Sequence, residues 1–207
     1  MPPTAEEPAL DADRSSIDPH LHLWEILPAP GLPQEPQRFL LPELLSAVGA
    51  SGHNVTHSVF VECHQMYRNQ GPGELRSLGE TEFANGIAAM SASGNYGPAR
   101  FAHRIVGNVD LRLGEHVRPV LEAHAAAAGE RFVGVRMNTA FSEAGLFGHA
   151  CDPRLQYLLL DATFQAGARV LARMNLNLDV WCLQGQLTDV MALADAVPDP
   201  VRRALNR

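Results

Sequence analysis

The sequence lacks the features that mark several large classes of protein. No stretch reaches about 18 consecutive apolar residues, so no membrane-spanning helix is predicted. Residues 1–14 contain neither a basic segment nor an apolar core, which argues against a signal peptide and favours a disordered lead. The net charge is −7 and no basic cluster occurs, which argues against a nucleic-acid or anionic-membrane partner.

Cysteine is scarce, and the usual cofactor-binding motifs are missing. The three cysteines are widely spaced and form no C-x-x-C pair, which argues against a disulfide framework or a zinc ribbon and favours a reducing, cytoplasmic location. There is no G-x-S-x-G elbow, no phosphate-binding P-loop and no G-x-G-x-x-G, so a dinucleotide-binding fold is only a distant alternative. With 207 residues, 46% of them hydrophobic, the chain suits one large domain or two small ones.

What the sequence does contain is a regular alternation of strand and helix patterns. Alternation of this kind predicts an α/β fold whose parallel sheet is either closed into a barrel or open. The connections after the first, second and fourth strands are long, which is typical of the loops that build a barrel's active site. Strands are predicted at 16–24, 57–63, 104–111, 131–137 and 176–183, and helices at 39–48, 80–92, 115–128, 153–174 and 187–197.

The first predicted strand carries an H-x-H pair at its end. Side chains in a strand alternate with period two, so His20 and His22 point to the same side, together with Asp18. Two imidazoles on a stiff strand form half of a site for zinc, nickel or iron. The alternative is a pair of ordinary, partly buried histidines near a surface turn.

Further polar residues follow the second and fourth predicted strands, at the same end of the sheet. Glu62 could orient a ligand histidine or take a proton, or it could be a solvated charge at a strand end. Arg136, with Asn138 two residues later, could bind a substrate carboxylate, or it could pair with a neighbouring acid. Tyr67 and Arg68, in the long second loop, are candidate substrate contacts.

Several segments resemble one family when they are taken in order. The stretch Asp18-Pro19-His20-Leu21-His22-Leu23-Trp24 resembles the first strand of the amidohydrolase superfamily, in particular its amidohydrolase-related branch of TIM-barrel hydrolases. The later segments 59–63, 79–83, 105–111 and 132–136 resemble subsequent strands and helix starts of the same branch. The resemblance runs from about Ser16 to Pro198.

The resemblance implies a (β/α)8 TIM barrel and a hydrolase. Such an enzyme would open a lactone, or a related ester or amide bond, of a small carboxylated substrate by activated water. His20 and His22 would be the ligands of a divalent metal, zinc first, supported by Asp18, with Glu62 as a catalytic group. Some lactonases of this branch are thought to work without metal, and in that case the histidines would hold substrate or water directly. Metal-dependent decarboxylation is an alternative on the same architecture.

The chain departs from this family pattern at its end. Eight strands are expected and five are found, so the sequence suggests a truncated barrel over residues 16–199, after a lead over 1–15 and before a tail over 200–207. The family's sixth-strand histidine and eighth-strand aspartate would fall beyond Arg207. An open barrel has bare edge strands, so pairing into a homo-oligomer and a non-catalytic remnant are both further alternatives.

Overall fold

The computed structural model describes residues 9–25, 38–144 and 152–197. The predicted lead and tail, the long proline-rich loop and part of the fourth loop therefore lie largely outside the described residues. The strands are β1 (Ser15–Leu21), β2 (Asn54–Val61), β3 (Arg100–Gly107), β4 (Phe132–Asn138) and β5 (Asn177–Trp181). The α-helices are α1 (Leu41–Ser51), α2 (Leu78–Ala92), α3 (Arg118–Ala128), α4 (Ala162–Arg173) and α5 (Leu187–Ala196).

The five strands form one parallel sheet in the order β1-β2-β3-β4-β5, which is a curled half-barrel with helices in the connections. This confirms the predicted architecture of a TIM-barrel type with five β/α units. In the described part of the chain, β1 and β5 each pair with a single neighbour, so they are the edges of the sheet. All five strands run the same way, and their carboxyl ends therefore meet on one face, where barrel enzymes place their active sites.

The hydrophobic core lies between the sheet and its helices. Phe60 of β2 contacts Phe83 of α2 edge to face, with ring centroids 6.4 Å apart. The central strands carry fully buried side chains such as Phe60, Ile105 and Val135, whereas six of the seven residues of β1 are exposed or only half-buried. The sheet is thus best packed in its middle and least packed at the edge strand that carries the histidines.

The predicted bounds lie within three residues of the observed ones, except in two elements. The helix predicted over 153–174 is wrong in its first half: two short 3-10 turns precede α4, and Tyr157 between them has a left-handed φ of 60°. Asp161 then starts α4 by accepting hydrogen bonds from the backbone N–H groups of Thr163 and Phe164. As a result α2, not this helix, is the longest described helix.

The third strand begins and ends earlier than the predicted range 104–111. Its first residues already pair with β2, with Arg100 opposite His57. It stops at Gly107 because the Asp110 carboxylate accepts a hydrogen bond from the Arg112 N–H and begins a 3-10 turn there. In the described ranges, no helix is long and apolar enough to cross a membrane.

Candidate functional site

The two histidines of the H-x-H pair meet at the carboxyl end of β1, as the spacing predicts. Their Nε2 atoms lie 3.0 Å apart, and their rings stand nearly perpendicular. The register of β1 against β2 shifts between Asp18 and Leu21, and a bulge of this kind re-aims side chains. Asp18 supports the turn by accepting a hydrogen bond from the His20 backbone N–H at 3.0 Å.

The neighbours of both rings determine which nitrogens carry lone pairs. His22 Nδ1 lies 2.8 Å from the Val61 carbonyl, which can only accept, so this nitrogen carries the proton. Burial lowers the pKa of His22, which keeps its ring neutral and leaves a lone pair on Nε2. His20 Nε2 faces Arg136 Nη1 at 3.2 Å, and a guanidinium can only donate. His22 Nε2 is therefore an acceptor, and His20 Nε2 lies within hydrogen-bond distance of both His22 Nε2 and the Arg136 guanidinium.

This convergence fits a metal ion in part. Two imidazole nitrogens bound to one tetrahedral zinc ion, each at about 2.0–2.1 Å, would be roughly 3.3 Å apart, close to the distance observed. The Val61 carbonyl holds the His22 ring through its other nitrogen, as backbone carbonyls do for histidine ligands in metal sites. Across the described residues, however, no group of three or more His, Cys, Asp or Glu side chains could hold a metal. The pair would supply two ligands of a set.

Arg136 and Glu62 form a buried ion pair beside the histidines. Arg136 Nε donates to Glu62 Oε1 at 3.0 Å, and Nη2 donates to the Glu62 backbone carbonyl. The side chains are only 11% and 3% exposed. The guanidinium that the sequence assigned to a substrate carboxylate is therefore occupied by a neighbouring acid and by His20, the alternative that sequence reasoning left open.

Glu62 keeps one oxygen outside this pair. Its Oε2 is buried, has no hydrogen-bond partner among the described residues, and lies 3.7 Å from His64 Nδ1. The Tyr67 hydroxyl lies 3.0 Å from the same His64 nitrogen, so Tyr67 joins the cluster through His64. Burial raises the pKa of the Tyr67 phenol, and nearby Glu80 and Glu62 raise it further, so the phenol stays protonated.

Arg68 lies away from this cluster. Its guanidinium pairs with Glu82 on the exposed side of α2, so the structure does not bring it to the histidines. Asn138 ends β4, and its side-chain oxygen accepts a hydrogen bond from the Ala140 N–H at 3.0 Å. Its amide nitrogen is the group that this side chain can offer to a ligand.

Glu80, which sequence reasoning passed over, holds the loop that follows β2. Its Oε1 accepts hydrogen bonds from the backbone N–H groups of Cys63 and Gln65, at 2.9 and 2.8 Å. Its Oε2 is buried with no hydrogen-bond partner in the described part of the chain, and burial raises the pKa of the Glu80 carboxyl to about 7. His64 and Met66 adopt left-handed backbone conformations in this loop. No sequence signal marks Glu80, since a glutamate in the first turn of a helix is ordinary.

A cleft of about 520 Å³ opens at the carboxyl ends of β2 to β5, next to the ion pair. Residues from three different connections, together with Asn138 and Trp181 at the ends of β4 and β5, contribute side chains that can donate or accept hydrogen bonds. The polar and aromatic lining includes His64, Asn108, Arg112, Asn138, Arg154 and Trp181.

No protein-family model matches the sequence, and no curated protein matches it either. Solved structures do. An amidohydrolase from Burkholderia multivorans with bound HEPES matches with a TM-score of 0.56 and 22% identity, over 86% of this chain and 52% of that one. A zinc-bound structure of an amidohydrolase from the same species matches with a TM-score of 0.55 and 20% identity, over 86% of this chain and 53% of that one. Amidohydrolase 2 from Bifidobacterium longum subsp. infantis matches with a TM-score of 0.53 and 19% identity, over 89% of this chain and 58% of that one.

The chain therefore spans a little more than half the length of the structures that it matches. At these identities the likeness concerns the fold, and it confirms the fold that the sequence resemblance implied. The shared architecture is a partial TIM barrel, which in this chain has five parallel strands among the described residues.

Proposed function

We propose that this chain is the part of an amidohydrolase-type hydrolase that binds a divalent metal, with zinc as the first candidate. The observation that carries the proposal is the convergence of the His20 and His22 Nε2 atoms, 3.0 Å apart at the end of the first strand. The fold shared with amidohydrolases, one of them solved with zinc, supports it. A bound metal would lower the pKa of a water and polarise a carbonyl.

The chain's own residues would then arrange the site around that water. Arg136 holds Glu62 Oε1 and contacts His20, so it fixes the relative positions of the carboxylate and the imidazoles. Glu62 Oε2, which has no hydrogen-bond partner, is the atom that can accept a proton from water or substrate. The substrate would be a small carboxylated lactone, ester or amide in the adjoining cleft.

A third metal ligand has to come from outside the described residues, because catalytic zinc takes three protein ligands and an open position. A second polypeptide pairing with an open sheet edge is one source. A homo-oligomer is accordingly part of the proposal, and it predicts that zinc shifts the chain towards a larger species in size-exclusion chromatography with light scattering.

The test is metal stoichiometry and affinity, measured by calorimetry and elemental analysis. Wild type is compared with His20→Ala/His22→Ala and with the control His53→Ala/His116→Ala, which removes two exposed histidines away from the site. Zinc binding in wild type and the control, lost in the first double variant, supports the proposal. Equal zinc content in all three proteins, or none in any, would overturn it. An assay of carboxylated-lactone hydrolysis, in which the released protons are measured, then tests the activity.

A further inference from the structure

The same short turn occurs twice at the mouth of the half-barrel. Asp110 precedes Arg112 after β3, and Asp152 precedes Arg154 before α4. In each turn the aspartate accepts a hydrogen bond from the backbone N–H of the arginine, at 3.0 and 2.9 Å. In each, the arginine Nε and Nη2 atoms also donate to the same aspartate.

This arrangement fixes each guanidinium while leaving part of it available. An arginine side chain has five N–H donors in a rigid fork, and one aspartate takes the Nε and Nη2 edge. The Nη1 edge remains for another acceptor. Arg136 is different, because Glu62 and His20 contact its three nitrogens.

Both arginines border the same space. Arg112 and Arg154 line the cleft of about 520 Å³, and both also line the neighbouring cavity of about 610 Å³ that reaches Tyr157 and Thr163. They therefore stand on the wall between the two cavities. The charges of Arg154 and Asp152 also act on the pKa of Arg112, as expected for turns that lie side by side.

The rest of the cleft suits a small, flat, carboxylated molecule. Asn138 brings an amide nitrogen from the end of β4, and His64 brings an imidazole from the loop after β2. Trp181 at the end of β5 adds an indole ring that is 38% exposed. An indole face can stack on a ring, and a fixed guanidinium beside it can donate hydrogen bonds to a carboxylate on that ring.

We propose that Arg112 and Arg154 bind the carboxylate of the substrate, which is a small ring acid seated in the cleft against Trp181. This deepens the proposed function and depends on it only in treating the bound molecule as substrate. It moves carboxylate recognition from Arg136, the residue that the sequence indicated, to the twin Asp-x-Arg turns. Each turn is a neutral pair, so recognition relies on directed hydrogen bonds rather than on a net positive charge.

Binding is measured by tryptophan fluorescence, with Trp181→Phe to show that Trp181 gives the signal. The probes are isophthalate, benzoate and glutarate, with dimethyl isophthalate as the uncharged match. Isophthalate is expected to bind saturably and the diester is not. Arg112→Met and Arg154→Met should each weaken isophthalate binding about tenfold or more, because each removes charge-assisted hydrogen bonds. Arg112→Lys keeps the charge but loses the planar guanidinium, so its affinity for isophthalate should lie between those of wild type and Arg112→Met.

The control is Arg173→Met, which breaks another exposed pair, with Glu115; neither residue lines the cleft, so this variant should bind like wild type. Circular dichroism checks that every variant is folded. No saturable binding of any of the three acids, or wild-type affinity in both Arg→Met variants, would overturn the inference. The same titration on His20→Ala/His22→Ala in the presence of EDTA separates the two proposals, since carboxylate binding should persist there even if metal binding is lost or was never present.

Discussion

Two groups of polar side chains meet at the carboxyl ends of the strands, and they differ in how their hydrogen-bonding capacity is used. In the cluster of His20, His22, Glu62 and Arg136, the side chains mostly bind one another, and the central ion pair is buried. In the cleft, Arg112 and Arg154 are held by their own aspartates and keep an open edge. The difference matches the two proposed roles, in which the first group positions the histidines for a metal and the second presents guanidinium N–H groups to a carboxylate.

If this comparison holds, the largest loss of stability should come from the buried pair. Arg136→Met leaves the Glu62 carboxylate buried and unpaired, and breaking such a pair costs about 3 to 5 kcal/mol in free energy of unfolding. Urea denaturation measures this loss in the free energy of unfolding. Arg173→Met, which breaks an exposed pair, should cost about 0.2 to 1 kcal/mol. Equal losses in the two variants would remove the distinction between buried and open groups.

Glu80, beneath the cluster, should make stability depend on pH. Its pKa in the folded protein is about 7, above the ordinary 4.5, so its contribution is complete below about pH 4.5 and is lost as pH rises through 7. Glu80→Gln keeps an acceptor for the Cys63 and Gln65 N–H groups but cannot titrate. Subtracting its stability curve from that of wild type should show a fall between pH 4.5 and 8, of about 3 kcal/mol at most.

Glu82→Gln, on the exposed side of the same helix, is the control for this pH experiment and should preserve the wild-type slope. Buried histidines such as His124, whose pKa is lowered to about 4 by burial, act in the opposite direction and lose stability as pH falls. They are present in all three proteins and cancel in the difference. A flat difference curve for Glu80→Gln would contradict the prediction.

The loop that Glu80 holds also depends on Gly79. A Cβ there would lie 2.3 Å from the Met66 carbonyl oxygen and 3.0 Å from the Arg68 nitrogen, so the loop could not pack on α2 unchanged. Gly79→Ala should therefore destabilise by about 1 to 3 kcal/mol, measured by thermal unfolding. Gly86→Ala, on the same helix with open space around it, should instead stabilise by about 0.5 to 1 kcal/mol.

The smallest effect on stability is expected in the cleft itself. Arg112→Met breaks a half-exposed pair with Asp110 and should change the free energy of unfolding by no more than about 1 kcal/mol. Its consequence should lie in ligand binding. A loss as large as that of Arg136→Met would show that the cleft arginines are structural too, and the comparison would fail.

The sequence predicted the order of the elements because strands and helices leave clear periodic patterns, and it predicted the H-x-H pair because alternation is local. It could not reveal the partner of Arg136, since Glu62 lies 74 residues away and only the pairing of strands joins them. Glu80 was missed for the same reason: its partners are backbone groups of a distant loop. The break before α4 follows from Tyr157 and the Asp161 cap, which helical periodicity does not register.

The exposed, irregular edge strand β1 has a consequence for whatever binds between the two imidazoles. β1 is held on one side only, with two interruptions in its pairing to β2, and it ends at the histidines. A ligand gripping both rings would also clamp this strand, and binding would be linked to the closing of a local opening. Amide hydrogen exchange in β1 would then slow with rising ligand concentration, while exchange in the central strands would stay unchanged.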